Sequence, residues 1–419
     1  MLLGVIADDF TGATDIAGFL VANGMRTIQL NGVPENDIEV DADAVVISLK
    51  SRSCPVNEAV ESSLTAMDWL RSRGCQQYYF KYCSTFDSTT EGNIGPVTDA
   101  LLNGLGEEFT IVCPALPVNG RTVFNGHLFV LGELLCDSGM RNHPVTPMLD
   151  SSLVRLMDAQ SEGNTGLVNY QTIEEGADYV IRAFDHQKSE GKRYAVVDAF
   201  NASHLNILGE AVKSLKLVTG GSGLAAGIAK NWESQLSDQT EALEAGRPVK
   251  ANTVVLSGSC SVRTNEQVAA YMAKAPSIAL DVQSCIEKDD YVSDIAKWVM
   301  DNLNGELAPL VYATAESKVL KLIQQTYGAD TSSKAVEQFF SQLAHQLREQ
   351  GINNFIVAGG ETSGVVTQSL AVEGFHIGPQ ITPGVPWVKA IDSSLSLALK
   401  SGNFGELDFF SKAQEFYHE

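Results

Sequence analysis

The sequence predicts an α/β protein of two domains, each built on a mainly parallel sheet flanked by helices. Three observations lead there. Short apolar runs alternate with amphipathic stretches along the chain, which is the pattern of βαβ units. The length of 419 residues suits two or three domains of roughly 100–200 residues each. A polar stretch at 233–251 (ESQLSDQTEALEAGRPVKA) separates two such alternating series and ends in Gly-Arg-Pro, as domain junctions do. The domains are therefore expected at 1–240 and 250–419.

In the first series, Leu2 to Ala7 is a buried strand that runs into acids. Gly12 to Asn23 reads as a helix closed by Gly24. Ala44 to Leu49 is a second strand, and 57–73 is a helix with Val60, Leu64, Met67 and Leu70 on one face. Gln77 to Tyr82, Phe109 to Cys113, Tyr194 to Asp198 and Leu215 to Val218 are further strands. The stretch 115–150 is Pro/Gly-rich and reads as irregular binding loops. In the second series, Thr253 to Leu256, Ser277 to Val282, Leu310 to Thr314 and Asn354 to Ala358 are strands. Helices fall near 262–274, 289–303 and 333–349. The last carries Val336, Phe339, Phe340, Leu343 and Leu347 at core spacing.

The net charge of −22, from 29 basic and 51 acidic residues, argues against nucleic acid and anionic membranes as partners. It leaves room for a small anionic ligand, which needs only a few basic side chains. Seven scattered cysteines without a C-x-x-C pair suit a reducing cytoplasm. The start MLLGVIADD has no basic region, so it does not read as a signal peptide, and no apolar run reaches membrane length. A homo-oligomer remains open.

Candidate chemistry sits where strands end. Asp8 and Asp9 lie between the first strand and the first helix, at the sheet edge where α/β proteins bind ligands. Either could accept a proton from a substrate hydroxyl; the competing reading is that Asp9 or Thr11 caps the helix. Arg52 follows the second strand, and Lys81, Ser84 and Asp87 follow the next. Arginine grips carboxylates with two hydrogen bonds, which suits an acidic substrate, and Arg121 in the irregular stretch could add an anion contact. Surface solvation is the alternative for each. Thr219-Gly220-Gly221-Ser222-Gly223 offers either an anion-binding turn or only a tight one.

Two glycine loops in the second domain are stronger. Ser257-Gly258-Ser259 and Gly359-Gly360-Glu361-Thr362-Ser363 each join an apolar strand to a helix and can cradle phosphates on backbone amides. Glu361 fits such a place only beside Mg²⁺ or a ribose hydroxyl. Gly405 lies in a further loop that could approach a base or ribose. There is no Walker loop, no G-x-G-x-x-G, no H-E-x-x-H and no clustered His/Cys set, so no protein-built metal site is expected.

Taken in order, ADDFTGATDIAG, SRS at 51–53, KYCSTFDST, CPALPVNGRT, TGGSGLA, SGSCS, GGETSG and GPQITPGVPW resemble the four-carbon acid sugar kinase family over nearly the whole chain. Within it, KYCSTFDST resembles the 3-oxo-tetronate kinases. The resemblance implies an N-terminal sugar-acid domain and a C-terminal nucleotide domain, and an active site in the cleft between them is expected. It implies ATP, with Mg²⁺ carried on it, phosphorylating the terminal hydroxyl of the acid. Carried over, nucleotide contacts fall at Ser257 to Ser259, Gly359 to Ser363 and Gly405, and substrate contacts at Asp8, Arg52, Lys81, Ser84 and Asp87. Catalysis is expected from Asp8 or Asp9. The alternatives are a kinase acting on D-threonate or D-erythronate, and a sensing module that binds without turnover.

Overall fold

The computed structural model describes residues 1–34, 38, 40–143, 145–236, 239–288, 290–315, 321–322, 325–400, 402 and 404–417. It divides into two compact units, 1–242 and 243–419.

The first unit is built on eight parallel strands. These are β1 (Leu3–Ala7), β2 (Thr27–Asn31), β3 (Ala44–Ser48), β4 (Gln77–Lys81), β5 (Thr110–Cys113), β9 (Thr165–Val168), β10 (Tyr194–Val197) and β11 (Leu217–Gly220). Their order is β2-β3-β1-β4-β11-β5-β10-β9. β1, β3 and β4 are buried at every position, as strands covered by helices on both faces must be. The chain crosses from one side of β1 to the other between β3 and β4, which opens a crevice at the carboxyl ends of these strands.

The stretch 115–150, expected to be irregular, instead holds a small antiparallel sheet. Its strands are β6 (Arg121–Phe124), β7 (His127–Val130) and β8 (Glu133–Leu134). Strands this short, separated by left-handed turns at Asn125, Gly126, Leu131 and Gly132, leave too few alternating positions to show a period. The buried Asp198 fixes the first turn by accepting hydrogen bonds from the Asn125 and Gly126 amides.

The second unit has strands β12 (Thr253–Ser257), β13 (Ser277–Ala279), β14 (Leu310–Tyr312), β15 (Asn354–Ala358), β16 (Gly374–Thr382), β17 (Val385–Ala390) and β18 (Ser396–Lys400). The order is β13-β14-β12-β15-β18-β17-β16. The first five are parallel, and the meander β16-β17-β18 is antiparallel. Pro383 and Gly384, with Gly384 at φ 79°, turn that meander, so the GPQITPGVPW motif is a hairpin. The strand expected at Ser277 to Val282 stops at Ala279, and Val282 opens a helix capped by Asp281. Val255, Ile356, Trp387, Ala398 and Phe409 anchor the core.

Candidate functional site

In the first unit the parallel register sets Ala7 level with Ser48 and Lys81, and Lys81 level with Gly220. Residues just past these positions therefore converge. The helix α1 (Phe10–Ala22) follows β1 at once, with Asp9 as its N-cap accepting from the Gly12 amide at 2.9 Å. The capping reading thus holds for Asp9. Asp8 is buried and takes two 2.8 Å hydrogen bonds from Arg52, one from Nε and one from Nη2. Arg52 Nη2 also lies 2.8 Å from Asp9, and Nη1 stands 3.9 Å from Asp87. Burial raises the Asp8 carboxyl against the pull of Arg52. Burial would lower the Arg52 guanidinium, and Asp8 more than reverses that. With both charge-assisted bonds formed, the pair is ionised. The Nη1 hydrogens make no hydrogen bond among the described residues and face a narrow pocket lined by Ser51, Asp87, Ser88 and Asn93.

Asp87 reaches this place through an unusual backbone. Phe86 and Asp87 are both left-handed, at φ 65° and 46°, a conformation that costs non-glycine residues about 1–3 kcal/mol each. The Phe86 ring, buried edge-on against Tyr82, and a 2.7 Å bond from Thr85 Oγ1 to Asp87 Oδ1 hold it. Ser84 lies on the same turn, half-buried. Lys81 is buried and donates to the Tyr82 carbonyl at 2.8 Å. Burial pushes the Cys83 thiol, beside Thr85, up to about 11.

Asp8, Asp9, Arg52, Lys81, Ser84 and Asp87 thus share one sheet edge. Arg121 does not join them: it bonds the Asn119 carbonyl within its own turn, and no hydrogen bond or ion pair links it to that group among the described residues. The glycines at 220, 221 and 223 serve packing, since side chains there would press into the Cys113, Pro114 and Ala115 carbonyls. They lead into a short turn and a five-residue helix, too short for an anion site.

In the second unit, β12 and β15 pair with Ser257 level with Ala358, so both glycine loops leave the sheet side by side. The Gly258 and Ser259 amides both donate to the Ala358 carbonyl. Gly359 has φ 127°, open to glycine alone. Around the loops lies a cavity of about 410 Å³. Gly258, Ser259, Gly359, Gly360, Glu361 and Thr362 line it on one side, and Val282, Ala313, Ser332, Ser333, Val336 and Glu337 on the other. Val336 was expected in the core with Phe339, Phe340, Leu343 and Leu347; those four are buried, whereas Val336 faces the cavity.

Three expected nucleotide contacts do not line the cavity. Ser257 turns to Thr314, 2.6 Å away. Ser363 is buried in the first turn of its helix, its amide bonded to the Gly359 carbonyl. Gly405 is held by Gln267, whose Nε2 donates to the Phe404, Gly405 and Glu406 carbonyls; the neighbouring Asn403 lies outside the described residues. Behind the loops, the buried Lys400 donates to Thr264 Oγ1 at 2.9 Å and to the Gly402 carbonyl at 3.2 Å, and burial lowers it to about 8.

Among the described residues no cluster of three His, Cys, Asp or Glu could hold a metal, and no helix is long and apolar enough to cross a membrane.

Residues 3–228 match the sugar-binding N-terminal domain family and residues 254–410 the nucleotide-binding C-terminal domain family. The chain is 60% identical, over 99% of its length and 95% of the other's, to a Brucella melitensis protein named 3-oxo-tetronate kinase. It is similar to a solved Haemophilus influenzae structure at 57% identity, with a TM-score of 0.92 over 99% of this chain and 100% of that one. A Salmonella typhimurium structure described as a putative tRNA synthase is 56% identical, with a TM-score of 0.95 over 99% of both chains.

Proposed function

Because the chain belongs to the four-carbon acid sugar kinase family, we propose that it transfers the γ-phosphoryl group of ATP to the terminal hydroxyl of 3-oxo-tetronate, giving 3-oxo-tetronate 4-phosphate. The observation that carries this is the 60% identity, over nearly the full length of both chains, to a protein named for that reaction. The charge of −22 gives a tRNA-directed activity no support.

In this reading ATP occupies the cavity of the second unit. Val282, Ala313 and Val336 offer apolar surface to the base. The free amides at the start of the Gly360–Ser369 helix meet the phosphates, aided by the helix dipole. Mg²⁺ carried on the nucleotide would supply charge neutralisation at the phosphates, and Glu361, on the cavity lining, is the residue that would hold it. The sugar acid is held by the first unit. Arg52 Nη1 takes its carboxylate, Asp8 and Asp9 fix the guanidinium, and Ser84, Lys81 and Asp87 bind its oxygens. Phosphoryl transfer then depends on positioning and electrostatics more than on covalent chemistry. The reading places the enzyme in the cytoplasm, in keeping with seven free thiols.

The test is ADP formation from Mg·ATP with 3-oxo-tetronate, D-threonate, D-erythronate or no acid. ADP that depends on 3-oxo-tetronate is the expected result. ADP with another acid instead would move the substrate within the family. No acid-dependent ADP would leave binding without turnover and sink the proposal.

A further inference from the structure

Asn93 stands at the start of the helix Ile94–Leu105, where an asparagine ordinarily caps its own helix. It makes no such bond. Other side chains meet the first amides of that helix. Ser88 Oγ lies 3.4 Å from the Ile94 nitrogen, and Gln160 Oε1 accepts from the Gly95 amide at 2.9 Å. The Asn93 side chain is thereby released for another use.

Its nitrogen turns to the loop that follows β3. Nδ2 donates to the Ser51 carbonyl at 2.8 Å and to the Cys54 carbonyl at 2.9 Å, with the Arg52 carbonyl 3.4 Å away. These bonds hold the backbone on both sides of Arg52. They also fix which way the amide faces. Turned over, Oδ1 would meet three carbonyls, acceptor against acceptor. Oδ1 therefore points away from the loop, and it accepts no hydrogen bond among the described residues. The residue is 8% exposed and lines the narrow pocket that Arg52 Nη1 faces. Leaving a nearly buried acceptor without a partner is unfavourable, so such a group marks a place for a ligand or a water.

The pocket limits what can fill it. Its free volume is about 10 Å³, room for about one water-sized group. A hydroxyl fits, and a whole carboxylate does not. Phe80, Ile94 and Val97 line it with apolar surface. Asp87 has Oδ1 on Thr85 and Oδ2 towards Arg52, and Asp8 spends both oxygens on the guanidinium. Asn93 Oδ1 is left as an uncharged acceptor without a partner. An uncharged oxygen can accept from a hydroxyl that stands beside an anionic group without repelling that group.

We propose that Asn93 determines specificity in the sugar-acid site: Nδ2 sets the Arg52 loop, and Oδ1 accepts a hydrogen bond from the hydroxyl on the carbon next to the acid's carboxylate. This rests on the reading above, in which Arg52 Nη1 takes that carboxylate. With the carboxylate at the mouth of the pocket, the 2-hydroxyl is the substrate group one carbon away, and it is small enough to enter. The 3-oxo group cannot replace it, because it has no proton to donate. Oδ1 thus selects acids that carry a hydroxyl at carbon 2.

The experiment measures equilibrium binding of 3-oxo-tetronate and of 4-hydroxy-3-oxobutanoate, which lacks the 2-hydroxyl, to wild type and Asn93→Ala. Thermal unfolding and ADP formation are followed alongside. Wild type should bind 3-oxo-tetronate about tenfold or more tightly than the analogue, in the range for one buried hydrogen bond left unmade. N93A should bind 3-oxo-tetronate about tenfold more weakly and hold the two acids within about threefold of each other, with ATP KM unchanged. A purely structural role for Asn93 would weaken both acids alike and keep the preference, and that outcome overturns the proposal. If N93A fails to fold, Asn93→Ser, which keeps a donor for the loop, takes its place under the same criterion. Wild type also decides by itself: equal affinity for the two acids, with 3-oxo-tetronate still phosphorylated, overturns this inference alone. A wild type without acid-dependent ADP would overturn the functional reading, and this inference with it.

Discussion

Arg52 binds Asp8 and Asp9 while leaving Nη1 to the pocket, so its loss should act on stability and on binding. Arg52→Met would leave Asp8, 5% exposed, without its counter-charge. Stranding one partner of a buried pair costs about 3–5 kcal/mol, and the partial exposure of Arg52 sets the expectation nearer 3. Thermal unfolding should show the drop, and calorimetry should show acid binding lost with ATP binding retained; an unchanged melting temperature would remove Arg52 from this role. Lys400 gives a pH dependence. Burial lowers it to about 8 from the ordinary 10.5, so between those values the unfolded chain holds a proton that the folded chain has released. Stability from this group therefore rises with pH across that window and is lost below about 8. Against Lys400→Met, the wild type should gain up to roughly 3 kcal/mol between pH 7 and 10.5. Denaturant titrations at several pH values measure this, and a flat difference would refute it.

The element that sets the nucleotide site is a strand, a glycine and a helix start. Gly359 at φ 127° lies 3.0 Å, at its would-be Cβ, from Thr362 Oγ1. Gly360 has open space at the same point. Gly359→Ala should therefore lose about 1–3 kcal/mol and weaken ATP at least tenfold, while Gly360→Ala should keep wild-type stability. Thermal unfolding and ATP titration of the pair test this; equal effects would mean that the loop geometry is unimportant. In the first unit, the left-handed pair Phe86 and Asp87 plays the corresponding part. Local strain there is offset by the buried Phe86 ring, and it aims a carboxylate at Arg52.

On the scale of the whole molecule, the two units carry different ligand chemistry. The first concentrates charged side chains at one sheet edge. The second offers backbone amides, hydroxyls and an apolar wall, which suit a nucleotide. The excess of acids keeps polyanions away and leaves small anions to be captured by a few placed cations. The two-part organisation, the strands β1, β3, β4, β12 and β15, and the residues at their ends were legible because buried parallel strands are continuous apolar runs and ligand sites follow their carboxyl ends. The antiparallel parts, β6-β7-β8 and β16-β17-β18, were not, because short strands and hairpins carry weak periodicity. Val336 was misjudged because an apolar residue at helical spacing reads alike whether it faces a core or a cavity. The sequence by itself determined which residue types gather at each strand end, since that depends on chain order and hydrophobic pattern. Only the tertiary structure decided that Arg52 closes on Asp8 and Asp9 and that Ser257, Ser363 and Gly405 do not line the cavity. Arg52 and Asp8 stand 44 residues apart in the chain, and packing alone fixes which way such side chains point.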